Sequence, residues 1–382
     1  MNQNNNIPKL RFPEFSDTWE NKKLGEIGNF IGGGTPSTKN ANFWNGDVPW
    51  ISSSDISDES IYKINKSRFI SREAISQTAT KLIPAKSILI VSRVGVGKVA
   101  INETEICTSQ DFTNLIVELD NYIFLAYLIK FKTNKLLEFN QGTSIKGFVK
   151  SDLENLEINI PSLPEQTKIA TFLTAVDEKL TQLKQKKELL SQYKKGVMQQ
   201  IFSQKLRFKD DNGNDFEDWE EKNLSDLAKI MYGKDQKQVI DENGKYPILG
   251  TGGIIGKTNS FLCNKASVLI GRKGTIDKPV YMETPFWSVD TLFYTDVFSN
   301  TFPKWLYFQF QNINWYLYNE ASGVPSLSAS TIYKIKIQLP CFSEQTKIAN
   351  FLSALDEKIS NAENKITLME QWKKGLLQKM FI

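Results

Sequence analysis

The residues of this chain best suited to chemistry are arginines and lysines set among glycines. Ser92-Arg93-Val94-Gly95-Val96-Gly97-Lys98 and Gly271-Arg272-Lys273-Gly274 each follow an apolar run, and Arg93 and Arg272 coincide when the chain is laid on itself. Such loops have two readings. They are tight turns that need positive φ at glycine, or they present cations to DNA phosphates or a guanine edge. The stretch Thr251-Gly252-Gly253-Ile254-Ile255-Gly256-Lys257-Thr258 has the look of a phosphate-binding loop around Lys257, but Thr251 stands where the first glycine belongs. No helical stretch follows it, which argues against a nucleotide site.

Other polar groups are ambiguous in the same way. Ser52 and Ser53 follow Trp50-Ile51, and Lys66, Arg68 and Arg72 form a basic cluster. A polar loop and a solvated face explain these as well as DNA contact does. The same holds for Lys146, within Gly142–Gly147, and for Ser326, within Ser322–Ser326. Both are flexible polar loops just ahead of an apolar segment.

Much chemistry is excluded outright. The chain has no histidine, so Ser-His-Asp triads, Cys-His nucleophiles and HExxH zinc sites are unavailable. Cys107, Cys263 and Cys341 are scattered and form no CxxC pair; they read as buried small hydrophobes in a reducing cytoplasm. The polar start, Met1–Asn6, lacks the apolar stretch of a signal peptide, and no apolar run reaches the length of a membrane span. Net charge is only +4, so local placement, not bulk charge, must carry any affinity for nucleic acid.

The elements that must position these residues come twice. Glu165–Phe202 and Glu344–Phe381 match at 20 of 38 positions at an offset of 179, where average residue usage gives roughly two. The offset also aligns Arg93 with Arg272, Gly95 with Gly274, Asp111 with Asp290 and Pro161 with Pro340. Upstream, Lys9-Leu10-Arg11-Phe12 recurs as Lys205-Leu206-Arg207-Phe208, and Trp19-Glu20 as Trp219-Glu220. Each unit is thus a lead segment, a variable domain and a near-constant helix. Two copies are too few for a solenoid.

Both helical segments carry a heptad seam. Steps of three and four from Leu173 give Leu173, Val176, Leu180, Leu183, Lys187, Leu190, Lys194, Val197 and Ile201. The second copy gives Leu352, Leu355, Ile359, Ala362, Ile366, Met369, Lys373, Leu376 and Met380. Either each helix packs on its own domain, or the two pack on each other. Chain order favours the second arrangement, antiparallel, with each helix a rod of roughly 55 Å. The variable domains show short strand-like runs at Val48–Ile51, Ser87–Val91 and Asn114–Val117, then a helical stretch around Asn121–Leu137. The second copy repeats that order at Tyr246–Leu249, Ala266–Ile270, Thr291–Tyr294 and Pro303–Leu317. The expected fold is α+β: two mixed α/β domains joined by two long antiparallel coiled-coil helices. The expected divisions are 1–160 and 205–340 for the domains, each with its lead segment, and 161–204 and 341–382 for the helices.

The stretch Pro161-Ser162-Leu163-Pro164-Glu165-Gln166-Thr167-Lys168-Ile169-Ala170-Thr171-Phe172-Leu173 resembles the boundary motif of specificity subunits of type I restriction–modification systems. Its second copy, Pro340–Leu352, departs in lacking the proline before Glu344. The resemblance covers essentially the whole chain. It implies a non-catalytic subunit in which each target-recognition domain reads one half of a split, asymmetric DNA site. The helices would set the unread gap and dock two methyltransferase subunits, and motor–nuclease subunits would complete a restriction complex. S-adenosylmethionine, Mg and ATP would belong to those partners, with no cofactor on this chain. The rivals are a coiled-coil adaptor, a silent gene copy without DNA-targeting activity, and a stand-alone enzyme, which would need a catalytic constellation that this sequence lacks.

Overall fold

The computed structural model describes residues 7–139 and 147–381, the side chains of 134–139 excepted. Met1–Asn6 and the predicted contact Lys146 lie outside the described residues. The chain divides into two units, Met1–Leu183 with Lys365–Ile382, and Lys184–Asn364. Both divisions fall inside a long helix, so each helix lends one half to each unit.

In the first unit, Glu20–Lys23 pairs antiparallel with Glu157–Ile160. An antiparallel sheet follows in the order Gly28–Gly32, Phe112–Val117, Ile88–Val91, Val99–Ile101. A second sheet runs Arg68–Ile70, Val48–Ile51, Ile106–Thr108, Leu82–Ile83, with Val48–Ile51 parallel to Ile106–Thr108. The unbroken apolar run Ile88–Val91 reads as a strand buried on both faces. Alternation then sends Ile88 and Ile90 into the core that holds the helix Tyr122–Phe139, and Leu89 and Val91 into another with Ile51, Ile83 and Ile106.

The second unit repeats this plan. Glu220–Asn223 pairs with Lys336–Leu339. A four-stranded sheet runs Ala228–Tyr232, Leu292–Val297, Ser267–Gly271, Val280–Met282, and a three-stranded one runs Gly253–Thr258, Tyr246–Gly250, Trp287–Ser288. Val268 and Ile270 face one core, while Leu269 faces another. The aromatic-rich stretch becomes the helix Pro303–Asn312 and a short 3-10 turn at Trp315–Tyr318.

The long helices span Leu163–Phe202 and Phe342–Met380. Pro164 sits in the first turn, where no intrahelical N–H donor is needed. Each seam position is buried or half-buried. In the first unit Leu173 and Val176 share a core with Leu376 and Met380, with Met369 packed against it; in the second Val197 shares a core with Leu352 and Leu355. Lys187 pairs with Glu363 at 2.7 Å and Lys194 with Asp356 at 2.6 Å. Seven residues forward on one helix meet seven back on the other, so the pair runs antiparallel.

A buried ionic lock joins each lead segment to the start of its unit's helix. Arg11 donates through Nε and Nη2 to Glu165, both at 2.7 Å, and Trp19 Nε1 approaches Glu165 Oε1 at 3.4 Å. Arg207 and Trp219 hold Glu344 in the same way, at 2.9 Å and 2.8 Å from Oε2. Both carboxylates are almost wholly buried, so they require such partners. Gln166 and Gln345 then reach across to the next helix of their units, Oε1 accepting the N–H of Asn121 at 2.9 Å and of Phe302 at 2.7 Å.

Candidate nucleic-acid interface

In the first unit three loops converge. Residues 92–98 connect adjacent antiparallel strands, and Gly95 and Gly97 take φ of 81° and 92°. The turn reading of these glycines therefore holds, and it leaves Arg93 exposed at the bend. Lys98 Nζ folds inward, donating to the carbonyls of Ser53 at 3.4 Å and Ile56 at 3.2 Å. That ties the loop to the turn Ser52–Asp55. A third segment is strapped alongside by the Phe148 N–H, which donates to Ser92 O at 2.7 Å.

The Ser52–Asp55 turn is internally braced. Asp55 accepts the Ser52 N–H at 2.8 Å, and Arg68 binds both the Asp55 carboxylate and Ser52 Oγ, the latter at 2.7 Å. The Arg68 guanidinium also lies 4.6 Å from the Trp50 ring centre. Burial pushes the Asp55 carboxyl up, but the Ser52 N–H and Arg68 outweigh it and hold the group below its ordinary value. Arg68 thus commits its Nη2 within the unit. Ser53 is buried within this turn. Lys66 turns to Thr104 Oγ1 at 3.2 Å, and Arg72 opens the helix Arg72–Gln77 as an exposed residue. No hydrogen bond or ion pair among the described residues brings either into the cluster.

The second unit assembles the equivalent loops. Gly274 has φ of 89°, and its N–H donates to Pro325 O at 2.8 Å. The Leu327 N–H donates to Arg272 O at 2.9 Å, and Lys273 and Ser326 form a β-bridge. Leu327 is the counterpart of Phe148, so the same strap recurs. Arg272 is half-exposed, its guanidinium 5.4 Å from the Tyr232 ring centre, with Nη1 donating to Asp290 O at 3.3 Å. The tip of the hairpin Tyr246–Thr258 joins in: a Cβ on Gly274 would lie 3.9 Å from Thr251 Oγ1. Lys257 is exposed but sits on the strand Gly253–Thr258 opposite Pro247, away from that tip. The glycine-rich stretch is therefore strand, not a phosphate cradle. Arg272, Lys273 and Ser326 come together; Lys257 does not join them.

The long helices present a second surface that sequence reasoning passed over. Leu189 and Tyr193 are 61% and 54% exposed, and their counterparts at the repeat offset, Leu368 and Trp372, are 64% and 47% exposed. Gly196 and Gly375 follow on the same face, and a Cβ at either would meet nothing within 4 Å. Both positions could have been found by asking which apolar residues of the repeat fall outside the seam.

The two units thus repeat one plan, each with a basic loop cluster and one half of each long helix. The family model for the type I restriction modification DNA specificity domain matches residues 16–192 and 216–371, and the chain belongs to that family. It is 27% identical to the MjaIX specificity subunit of Methanocaldococcus jannaschii, over 95% of this chain and 92% of that one. To the Escherichia coli EcoR124I/EcoR124II specificity subunit it is 34% identical, over 44% of this chain and 43% of that one. The crystal structure of the type I S subunit from M. genitalium superposes with a TM-score of 0.64 at 19% identity, covering 98% of this chain and 99% of that one. The chain is a type I specificity subunit, of a family without catalysis of its own. Among the described residues, no helix is long and apolar enough to cross a membrane.

Proposed function

We propose that each unit reads one half of a split, asymmetric DNA site, and that the helices fix the unread gap. The observation that carries this reading is the convergence, in both units, of the same three loops around Arg93 and Arg272. The surrounding sequences differ, so the half-sites differ. Phosphate contacts supply most of the affinity and make it salt-sensitive, while a few base-edge contacts supply specificity. Arg93, Arg272, Lys273 and Ser326 are the side chains best placed for this. Ser52, whose hydroxyl is engaged by Arg68 and Asp55, braces its turn, and Lys257, Lys66 and Arg72 are left to flanking backbone.

Two methyltransferase subunits dock on the duplicated face Leu189-Tyr193-Gly196 and Leu368-Trp372-Gly375. A surface kept twice in one chain suits two copies of one partner. Glycine inside a helix costs about 1 kcal/mol relative to alanine, and here no neighbour within the chain requires it. Close approach by a partner gives it a reason. S-adenosylmethionine, and the Mg and ATP of any motor–nuclease subunit, reside on those partners, and the assembly works on cytoplasmic DNA.

Co-expression with the genomic methyltransferase neighbour, followed by single-molecule mapping of modified adenines, tests the reading. A split, asymmetric motif that appears only with this chain supports it. No new methylation from a soluble, assembled complex sinks it. Lengthening the first helix near Lys184–Lys187 by a few residues should change the gap and leave each half-site as it was.

A further inference from the structure

Each loop cluster carries exposed valine: Val94 stands directly beside Arg93, and on the strap segments stand Val149, 59% exposed, in the first unit and Val324 in the second. Val94 is 71% exposed and follows Arg93 directly; Val324 is 67% exposed and precedes Pro325, whose carbonyl accepts the Gly274 N–H at 2.8 Å. A single exposed apolar side chain needs no explanation on its own. These two differ from scattered cases because the units supply them from different loops. Val94 comes from the loop that carries Arg93. At the aligned place in the second unit stands Lys273, and the valine arrives instead on the segment that bridges to Lys273 through Ser326. Non-equivalent positions thus deliver the same side chain to the same basic cluster.

The immediate surroundings favour rigid presentation. Gly95 and Gly274 hold positive φ at the bends, and Phe148 and Leu327 strap their loops down. Valine is stiff at χ1, so it offers two methyl groups with little rotamer entropy to lose. On a base edge in the major groove, the apolar group available is the C5-methyl of thymine. The neighbouring cation, Arg93 in one cluster and Lys273 in the other, draws the phosphates in and brings the valine to the groove.

We infer that Val94 and Val324 are specificity-determining residues, each reading the C5-methyl of one thymine in the half-site of its own unit. This rests on the reading of both clusters as DNA-facing. The occupant is a methyl group on a base and not another protein, because each valine stands in a basic loop cluster, Val94 next to the exposed Arg93 and Val324 on the segment bridged to the exposed Lys273.

The experiment uses the chain assembled with its methyltransferase, bound to duplexes of the mapped site in which thymines are replaced one at a time by uracil. One uracil in each half-site should weaken binding by roughly three- to tenfold, the scale of one lost methyl contact. Val94→Ala should abolish that difference in one half-site only, and Val324→Ala in the other only. Uracil duplexes bound as tightly as thymine duplexes would overturn the inference while leaving site-specific reading intact. So would a methyl effect that survives both variants, or a half-site with no T·A pair. Binding that ignores sequence altogether would overturn the DNA-reading assignment, and this inference with it.

Discussion

The N–H of Leu10 donates to the carbonyl oxygen of Lys379, 2.9 Å away, and in the second unit the N–H of Leu206 donates to Gln200 at 3.1 Å. Lys379 and Gln200 are counterparts at the repeat offset, and the lead segments are counterparts by their recurring Lys-Leu-Arg-Phe sequence. Each lead segment therefore closes the C-terminal end of one helix and, one residue later, locks the start of the other helix of its unit through arginine and glutamate.

Removing that arginine should be costly. Arg11→Met leaves Glu165, 1% exposed, with Trp19 as a distant donor, and should destabilise the first unit by about 3–5 kcal/mol. Adding Glu165→Gln should recover part of the loss. Urea unfolding of both variants checks this, and equal stability of wild type and Arg11→Met would show that the carboxylate finds water.

The helix-bridging ion pairs should be unequal. Lys373 binds Asp177, whose side chain is 7% exposed and also accepts the Tyr127 hydroxyl at 2.8 Å. In the second unit Asp356, partner of Lys194, is 40% exposed. Lys373→Met should cost about 3 kcal/mol by isolating a buried charge. Lys194→Met should cost under about 1 kcal/mol, because solvent screens its partner. Denaturation midpoints of the two variants give the comparison directly.

Stability should rise in mild alkali through one residue. Burial pushes the Lys130 ammonium down to about 8, with the positive charge of Lys373 adding to the effect against Asp177, Asp58 and Glu59. Between about pH 8 and the ordinary lysine value of 10.5 the unfolded chain holds a proton that the folded chain has shed. Unfolding free energy therefore increases with pH across that window. Lys130→Met should remove this slope and stabilise the fold at pH 7 by on the order of 1–2 kcal/mol. A difference between the two proteins that does not vary from pH 7 to 10.5 would contradict the assignment.

Gly196→Ala and Gly375→Ala should separate folding from assembly. Each should raise the thermal stability of the free chain, by up to about 1 kcal/mol, since no atom within 4 Å opposes the added methyl. Each should also weaken the methyltransferase complex, as should Tyr193→Ser and Trp372→Ser. Unaltered binding by titration calorimetry would remove this face as the docking surface.

What could be read in the sequence was local or periodic. Ile88–Val91 announced itself as a doubly buried strand because four consecutive apolar residues leave no solvent face. The seam could be read because its spacing repeats, and the three lysines within it, Lys187, Lys194 and Lys373, pair with acids one helix away. The Arg11–Glu165 lock spans 154 residues, and no local pattern pairs its ends, although both recur in the second copy. The basic candidates sorted themselves only through tertiary contacts: Lys98 turned inward to Ser53, Lys66 went to Thr104, and Arg68 was absorbed by Asp55. Charge could be counted along the chain, but its direction could not.

The division of the chain has a consequence in time. The second unit, Lys184–Asn364, is one unbroken stretch, whereas the core of the first includes Leu376, Met380 and Phe381. A ribosome makes those three residues after every residue of the second unit. During synthesis the first-made domain must wait with an open flank while the later one closes, the reverse of the usual order of domain maturation. Nascent chains stalled before residue 376 should therefore present a protease-sensitive first unit beside a protected second one.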